Sequence, residues 1–463
     1  MNKKHFSKIT SIAVILLIIM VGIWYVTFKN ILISEFDEQN RKDDAVIIPE
    51  DKTKTVIVQG TVKDWVSGKG VADAEVLLNE VLKKTTEDGS FSFASISTAG
   101  EVSISKIGYN SQKIFVTEFM KDTNSKEIFL IPNGYVTFLK QSKLFRANYD
   151  GSNTEVLTDD PIFLMARSPE GKYVAYTERT IDSNNEVVKI VDVSTKSVSE
   201  IARYPRFTSN TEIRIQKPQW SSNGAIVTWE VVKLREGKEN SSLAYYDIKE
   251  KEIHYIKNPS TDYIEFDRIY NFAISPDSQF IAVLADSIMD ESGDILRGIV
   301  LYDTFLERPL IVDFENKLYL PVLNEIFFDI DGNLHYGLVT RDVGPTPNSW
   351  VMYNTKTGKH NTFENKPLYW KTLRYGKFSF SGDKVAVSCP SVSGDICIAK
   401  NDGLQSQVIV SRDNLGISTI MDFFFSSNSR YILFSGNLKN NPDRVFLWIM
   451  SSDGGIFKQI SEL

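Results

Sequence analysis

A unit recurs about every fifty residues from Gly134 to the C-terminus, and it restricts the fold more than any other feature of the chain. Each copy has a loop half, in which a short polar loop leads into an apolar strand. The loops are Arg167–Lys172, Ser221–Gly224, Ser275–Ser278, Asp329–Asn333, Ser379–Asp383 and Ser426–Ser429. The strands that follow, such as Tyr173–Tyr176, Phe280–Val283 and Tyr431–Phe434, carry aromatic and β-branched residues. Such residues suit a pleated surface covered on both sides. Each copy also has a second half, a strand ending in a polar turn: Lys143–Gly151, Lys189–Asp192, Leu243–Asp247, Ile299–Asp303, Trp350–Asn354, Ile396–Gly403 and Phe446–Gly454. Seven copies of this half accompany six of the loop half.

A period in this range, with about four strands per unit, predicts an all-β fold built as a β-propeller. One four-stranded blade cannot cover both of its own faces, so neighbours must stack. The surplus half, Tyr135–Thr158, is expected either as an incomplete seventh blade or as a partner that closes the ring with the last strands. The blade count is therefore read as six or seven. The pattern resembles the TolB-like propeller repeat, related to WD40 repeats, through Ser168-Pro169-Glu170-Gly171-Lys172 and Ser275-Pro276-Asp277-Ser278. Asp329-Ile330-Asp331-Gly332-Asn333 departs from it, and Trp-Asp dipeptides are absent. The resemblance implies a propeller over residues 133–463 that mediates protein–protein contacts. The same repeat also occurs beside the hydrolase domain of prolyl oligopeptidases.

Residues 55–132 have another texture. Val56–Val62 alternates as a half-buried strand does, and Ala74–Leu78, Ser90–Phe93, Val102–Ser105, Lys113–Val116 and Glu127–Ile131 follow as short strands without a helix signal. That predicts a small β-sandwich. Gly60-Thr61-Val62, Gly70–Val76, Thr86–Phe91 and Gly108-Tyr109 resemble the carboxypeptidase regulatory-like domain, a transthyretin-like sandwich. The resemblance implies a non-catalytic module, with Gly108 admitting close backbone approach beside Tyr109.

Ahead of these domains, residues 9–28 form one uncharged apolar run preceded by Lys3, Lys4 and Lys8. About twenty residues in a helix span a bilayer core, and the lysines orient residues 1–8 to the cytoplasm. The run ends in Trp24-Tyr25-Val26-Thr27-Phe28, a poor cleavage site, so an uncleaved signal anchor is preferred to a cleaved signal peptide. Residues 29–54, polar and without periodicity, read as a stalk. The expectation is a single-pass membrane protein with its C-terminal domains extracytoplasmic, its lipid partner met through residues 9–28. Net charge is -7 with both signs interspersed, which argues against nucleic acid as a partner.

Catalytic and cofactor motifs are missing from the sequence. There is no Gly-x-Ser-x-Gly elbow, no phosphate-binding Gly loop and no His-Glu-x-x-His. His254, His335 and His360 lie in repeats near strand ends and read as strand histidines; only a meeting of two at the ring axis would make them a site. Asp329, Asp331 and Asn333 form the best calcium candidate, because spaced carboxylates around a Gly turn can wrap a hard cation. An ordinary Asp-Gly turn is the preferred reading. Cys389 and Cys397 flank an expected hairpin and are either a cross-strand disulfide or two buried thiols. The leading function is non-enzymatic binding of a protein, peptide or cell-envelope polymer at the propeller rim, through the insertions 180–186, 234–241, 286–297 and 341–349. The alternative is a hydrolase or lyase on polysaccharide or peptide, with carboxylates converging in the channel.

Overall fold

A computed structural model describes residues 55–97, 100–119, 125–179, 184–208, 210–258, 265–289, 295–314, 319–340, 349–367, 369, 372–373, 376–389 and 394–463. The expected span at 9–28 and stalk at 29–54 lie outside the described residues. Among the described residues, no helix is long and apolar enough to cross a membrane.

The chain divides into two compact units. Among the described residues, one comprises 55–58, 92–97, 100–101 and 114–119, and within it Val58, Phe93, Val116 and Phe119 are buried. The other comprises Gln59–Phe91, Val102–Lys113 and Asn124–Leu463. The first seven strands are β1 (Thr55–Asp64), β2 (Glu75–Leu78), β3 (Val81–Lys84), β4 (Ser90–Ser97), β5 (Glu101–Ser105), β6 (Gln112–Phe115) and β7 (Lys126–Leu130). They form two sheets, ordered β4-β1-β7 and β3-β2-β5-β6. Gly60–Asp64 of β1 pairs in parallel with β7.

Two glycines of this segment have different reasons. A Cβ on Gly70 would lie 2.2 Å from the Asp88 backbone, so only glycine fits there. Gly108 has open space around it, contrary to the expected close approach; its φ of 87° is the constraint.

The remaining strands form seven consecutive sheets. Blade 1 has three strands, β8 (Tyr135–Lys140), β9 (Lys143–Asn148) and β10 (Glu155–Thr158). Blade 2 has β11 (Ile162–Arg167), β12 (Tyr173–Arg179), β13 (Asn185–Asp192) and β14 (Val198–Pro205). Blade 3 has β15 (Phe207–Thr208), β16 (Thr211–Trp220), β17 (Ile226–Arg235), β18 (Lys238–Asp247) and β19 (Glu252–Tyr255). Blade 4 has β20 (Ile269–Ile274), β21 (Phe280–Met289), β22 (Ile295–Asp303) and β23 (Arg308–Phe314). Blade 5 has β24 (Tyr319–Phe328), β25 (Leu334–Thr340), β26 (Ser349–Asn354) and β27 (Lys359–Phe363). Blade 6 has β28 (Lys377–Phe378), β29 (Lys384–Ser388), β30 (Ile396–Lys400) and β31 (Gln407–Val410). Blade 7 has β32 (Ile417–Phe425), β33 (Tyr431–Leu438), β34 (Asn441–Ser451) and β35 (Phe457–Glu462). Each blade is an antiparallel meander, its strands paired in chain order.

The sheets close into a ring because every junction holds its own apolar cluster. Leu144 with Val174 and Tyr176 joins blades 1 and 2. Val188 with Trp229 joins 2 and 3, Tyr245 with Phe272 joins 3 and 4, and Leu301 with Tyr336 joins 4 and 5. Phe327 with Val385 joins 5 and 6, and Ala386 with Phe434 joins 6 and 7. The last junction packs Leu433 and Ile449 of blade 7 against Val136 and Phe138 of blade 1. Val66, in the turn after β1, is buried in that same cluster.

The repeated loop has a physical function. In five copies the N–H five residues on donates to a buried serine hydroxyl, at 2.8 to 3.1 Å: Tyr173 to Ser168, Ile226 to Ser221, Phe280 to Ser275, Lys384 to Ser379 and Tyr431 to Ser426. The serine thus stands in for a ladder partner where the chain reverses, so each of these five N–H groups keeps an acceptor. In blade 5 the Asp329 carboxylate takes this place, accepting from the Asn333 N–H at 2.8 Å.

The unequal count of halves is also explained. Tyr135–Thr158 forms its own sheet and does not pair with the last strands; it lacks the first strand and therefore the loop after it. Arg167 occupies the gap. Its Nε donates to the backbone oxygen of Thr137 at 3.1 Å and to its hydroxyl at 3.0 Å, its guanidinium lies over the Phe424 ring at 4.2 Å, and it reaches Asp422 at 3.5 Å. One side chain so connects blades 1, 2 and 7.

Cys389 and Cys397 form a disulfide in blade 6, with Cα atoms 5.0 Å apart. The bond closes a short loop, so removing it takes away a restraint on the unfolded chain worth about 2–3 kcal/mol. Reduction, or the Cys389→Ala/Cys397→Ala double variant, is expected to lower the thermal midpoint without changing the circular dichroism of the folded chain.

Candidate functional site

The strand before the repeated loop faces the ring axis. β11 touches β16, β20 touches β24 and β28 touches β32. A cleft of about 560 Å³ is lined by residues from these inner strands, or the loops after them, of blades 2, 3, 6 and 7, which places it on the axis. Its charged groups are Arg167, Lys377 and Asp422, and its aromatic groups are Trp220, Phe378, Phe423, Phe424 and Phe425.

Local folding sets each side chain. Trp220 ends β16; its indole N–H donates to the Ala166 carbonyl at 2.9 Å and its ring stacks on Tyr173 at 6.2 Å. The Asp422 carboxylate faces Arg167 and also accepts from the Phe423 N–H at 2.9 Å. Asp422 is therefore paired, and it is the sole carboxylate among the described residues lining the cleft. Lys377, on the two-residue strand β28, is exposed. The arrangement is a mildly cationic slot with aromatic walls.

The residues singled out in the sequence do not line this cleft. Asp329 is committed to its own turn: its oxygens accept from the Asn333 backbone and side-chain N–H groups at 2.8 and 2.9 Å, and one lies 2.9 Å from His335 Nε2. Burial opposes ionisation of this carboxyl, but the hydrogen bonds from His335 and Asn333 outweigh it and hold its pKa below the ordinary value. Among the described residues, no histidine lines the axial cleft. His335 is on the second strand of blade 5, stacked on Phe327, whereas His254 and His360 are on the outer strands of blades 3 and 5. The expected insertion 234–241 is not a loop: it lies in the β17–β18 hairpin, whose strands pair out to Arg235 and Lys238 around the two-residue turn Glu236-Gly237. The tips of the other three, at 180–183, 290–294 and 341–348, lie outside the described residues.

No family model and no curated protein sequence matches the chain. Among solved structures, it is similar to TolB from Acinetobacter baumannii, at 16% identity over 66% of this chain and 75% of that one, with a TM-score of 0.32. It is also similar to the β-propeller domain of the trilobed protease from Pyrococcus furiosus, at 12% identity over 79% and 95%, with a TM-score of 0.43. A third is oligogalacturonate lyase from Vibrio parahaemolyticus, at 12% identity over 83% and 95%, with a TM-score of 0.40. The neighbours are TolB-like and other β-propeller proteins, and none of these likenesses assigns an activity.

Proposed function

We propose that this chain is a binding protein that holds a segment of a partner protein or peptide in the axial cleft. The observation that supports this most is the lining itself: two cations, one carboxylate already paired with Arg167, and a wall of aromatic rings. Aromatic surface with a few placed polar groups suits side-chain capture, and Lys377 favours an acidic segment. Glycoside hydrolysis would need two carboxyl groups about 5–10 Å apart, and the described lining offers one.

The proposal includes placement. Residues 9–28 anchor the chain, 29–54 form a stalk, 55–132 form a carboxypeptidase regulatory-like sandwich and 133–463 form the propeller, all beyond the membrane. The Cys389–Cys397 bond fits such an oxidising compartment.

The test uses the full chain in its native membrane, with a photo-crosslinking residue at Lys377 or at Val408, which is exposed on the outer strand of blade 6. A discrete protein adduct at position 377, lost on Arg- or Lys-directed competition with an acidic peptide and absent at 408, is the expected result. Equal adducts at both positions, or none at 377, overturn the reading. So does turnover of a peptide or polysaccharide that Asp422→Asn abolishes.

A further inference from the structure

A second cleft, of about 690 Å³, lies between blades 3 and 4 at the rim. Its lining includes Asp247, Glu250, Asp277 and Glu307, together with His254, and holds no lysine or arginine among the described residues. Four carboxylates without a counter-cation make a strongly attractive potential for a positive ligand. Acidity alone does not choose that ligand; the geometry around His254 does.

β19 alternates, so Glu252 and His254 project to one face of the strand. The turn before it brings Glu250 over that face. Asp247 fixes the turn by accepting from the N–H groups of Lys249 and Glu250 at 2.7 and 2.8 Å. One ligand atom each from Glu250, Glu252 and His254 falls within 4.8 Å of the other two. His254 Nε2 and a Glu250 oxygen are 3.8 Å apart. Ligand atoms around a tetrahedral ion with bonds of about 2.1 Å lie about 3.4 Å from one another. The three atoms would therefore close on an ion by small side-chain rotations.

The imidazole is already oriented for this. Its ring stacks on Tyr245 at 4.8 Å, and Nδ1 lies 2.9 Å from a Glu307 oxygen contributed by blade 4. A carboxylate on one ring nitrogen fixes the tautomer and turns the other nitrogen's lone pair outward.

We propose that His254, Glu250 and Glu252 bind one divalent transition-metal ion of the zinc class, with Glu307 as the positioning residue behind the imidazole and the fourth coordination position open to the cleft. An imidazole in the ligand set selects zinc, nickel or copper over calcium and magnesium. The inference is independent of the axial cleft.

Untagged full chain titrated with Zn²⁺ by calorimetry, and with Co²⁺ by visible absorption, tests it. One equivalent is expected to bind, with cobalt bands of a four-coordinate site. His254→Ala and Glu252→Gln should each weaken binding at least tenfold, and Glu307→Gln should weaken it by about 10–100-fold although it touches no metal. Asp277→Asn, which removes cleft charge but no ligand, should change affinity by less than about threefold. Zinc affinity unchanged in His254→Ala overturns the proposal. So do an Asp277→Asn loss as large as that of His254→Ala, and displacement of zinc by an equal concentration of calcium; either would show an acidic surface only.

Discussion

Replacing Asp64 by alanine is expected to destabilise the fold by about 3–5 kcal/mol, the cost of removing one partner from a buried charged network. Asp64 is 2% exposed. Its carboxylate accepts five hydrogen bonds, from the Val66 and Ser67 N–H groups, the Ser67 hydroxyl, Tyr109 Oη at 2.8 Å and Tyr431 Oη at 2.6 Å. Arg430 lies 3.8 Å away and donates to Tyr109 Oη at 2.9 Å. The alanine variant leaves two buried phenols without their acceptor and takes the neighbouring charge from Arg430, which costs more than the hydrogen bonds were worth. Tyr431→Phe removes one donor and is expected to cost about 1–2 kcal/mol. Because the two residues share a network, the double variant should fall short of the sum. Thermal midpoints of the four chains measure this; additive losses would show that Asp64 acts elsewhere.

The same carboxylate predicts a pH dependence. Burial pushes an aspartate's pKa up, but the hydrogen bonds from Ser67, Tyr431 and Tyr109 together outweigh it and hold Asp64 below its ordinary 3.8. A depressed folded pKa stabilises above the unfolded value and loses that contribution as pH falls through the folded one. The deficit of Asp64→Ala should therefore be full at pH 7 and shrink below about pH 3.8. A deficit independent of pH would rule out the ionised carboxylate as its source.

Trp229→Ala is expected to cost about 3–5 kcal/mol, the range for deleting a large buried ring. Trp229 is completely buried in the cluster between blades 2 and 3, among Val188, Ile190, Ile215 and Ala244. Its indole N–H donates to Tyr204 Oη at 3.1 Å, so truncation opens a cavity and removes a buried donor together. The blades are held mainly by their neighbours, so protection from hydrogen exchange should fall first in β13, β16 and β17. Phe305→Ala, at a position 85% exposed, should change stability by less than about 0.5 kcal/mol. Uniform loss of protection across all seven blades would argue for a ring that opens as one unit.

Much of the fold was legible because the repeat is written in local chemistry. In five of the six loops a serine bonds an N–H only five residues away, and in the sixth Asp329 bonds one four residues away, so the pattern survives in a single sequence wherever the loop does. The surplus strand half was legible as a count, and its meaning was not. That Arg167 fills the place of the missing first strand of blade 1 depends on its contacts with Thr137, 30 residues away, and with Asp422, 255 residues away. The histidines show the same limit. His254 reads as an ordinary strand residue until Glu307, 53 positions later, is brought against its ring. Gly108 was assigned the wrong constraint, because a sequence shows that glycine is required without distinguishing backbone conformation from crowding.

The amino-acid sequence by itself determined a chain of β-meanders, their turns and the need of each sheet for neighbours, since these follow from side-chain alternation and hydrogen bonds made within a few residues. Only the tertiary structure decided what meets across the ring: Asp64 with Tyr431, Arg167 with Asp422, four blades around one aromatic cleft, and His254 with Glu307. Closing the ring brings together residues hundreds of positions apart, and no local periodicity encodes which of them will face one another.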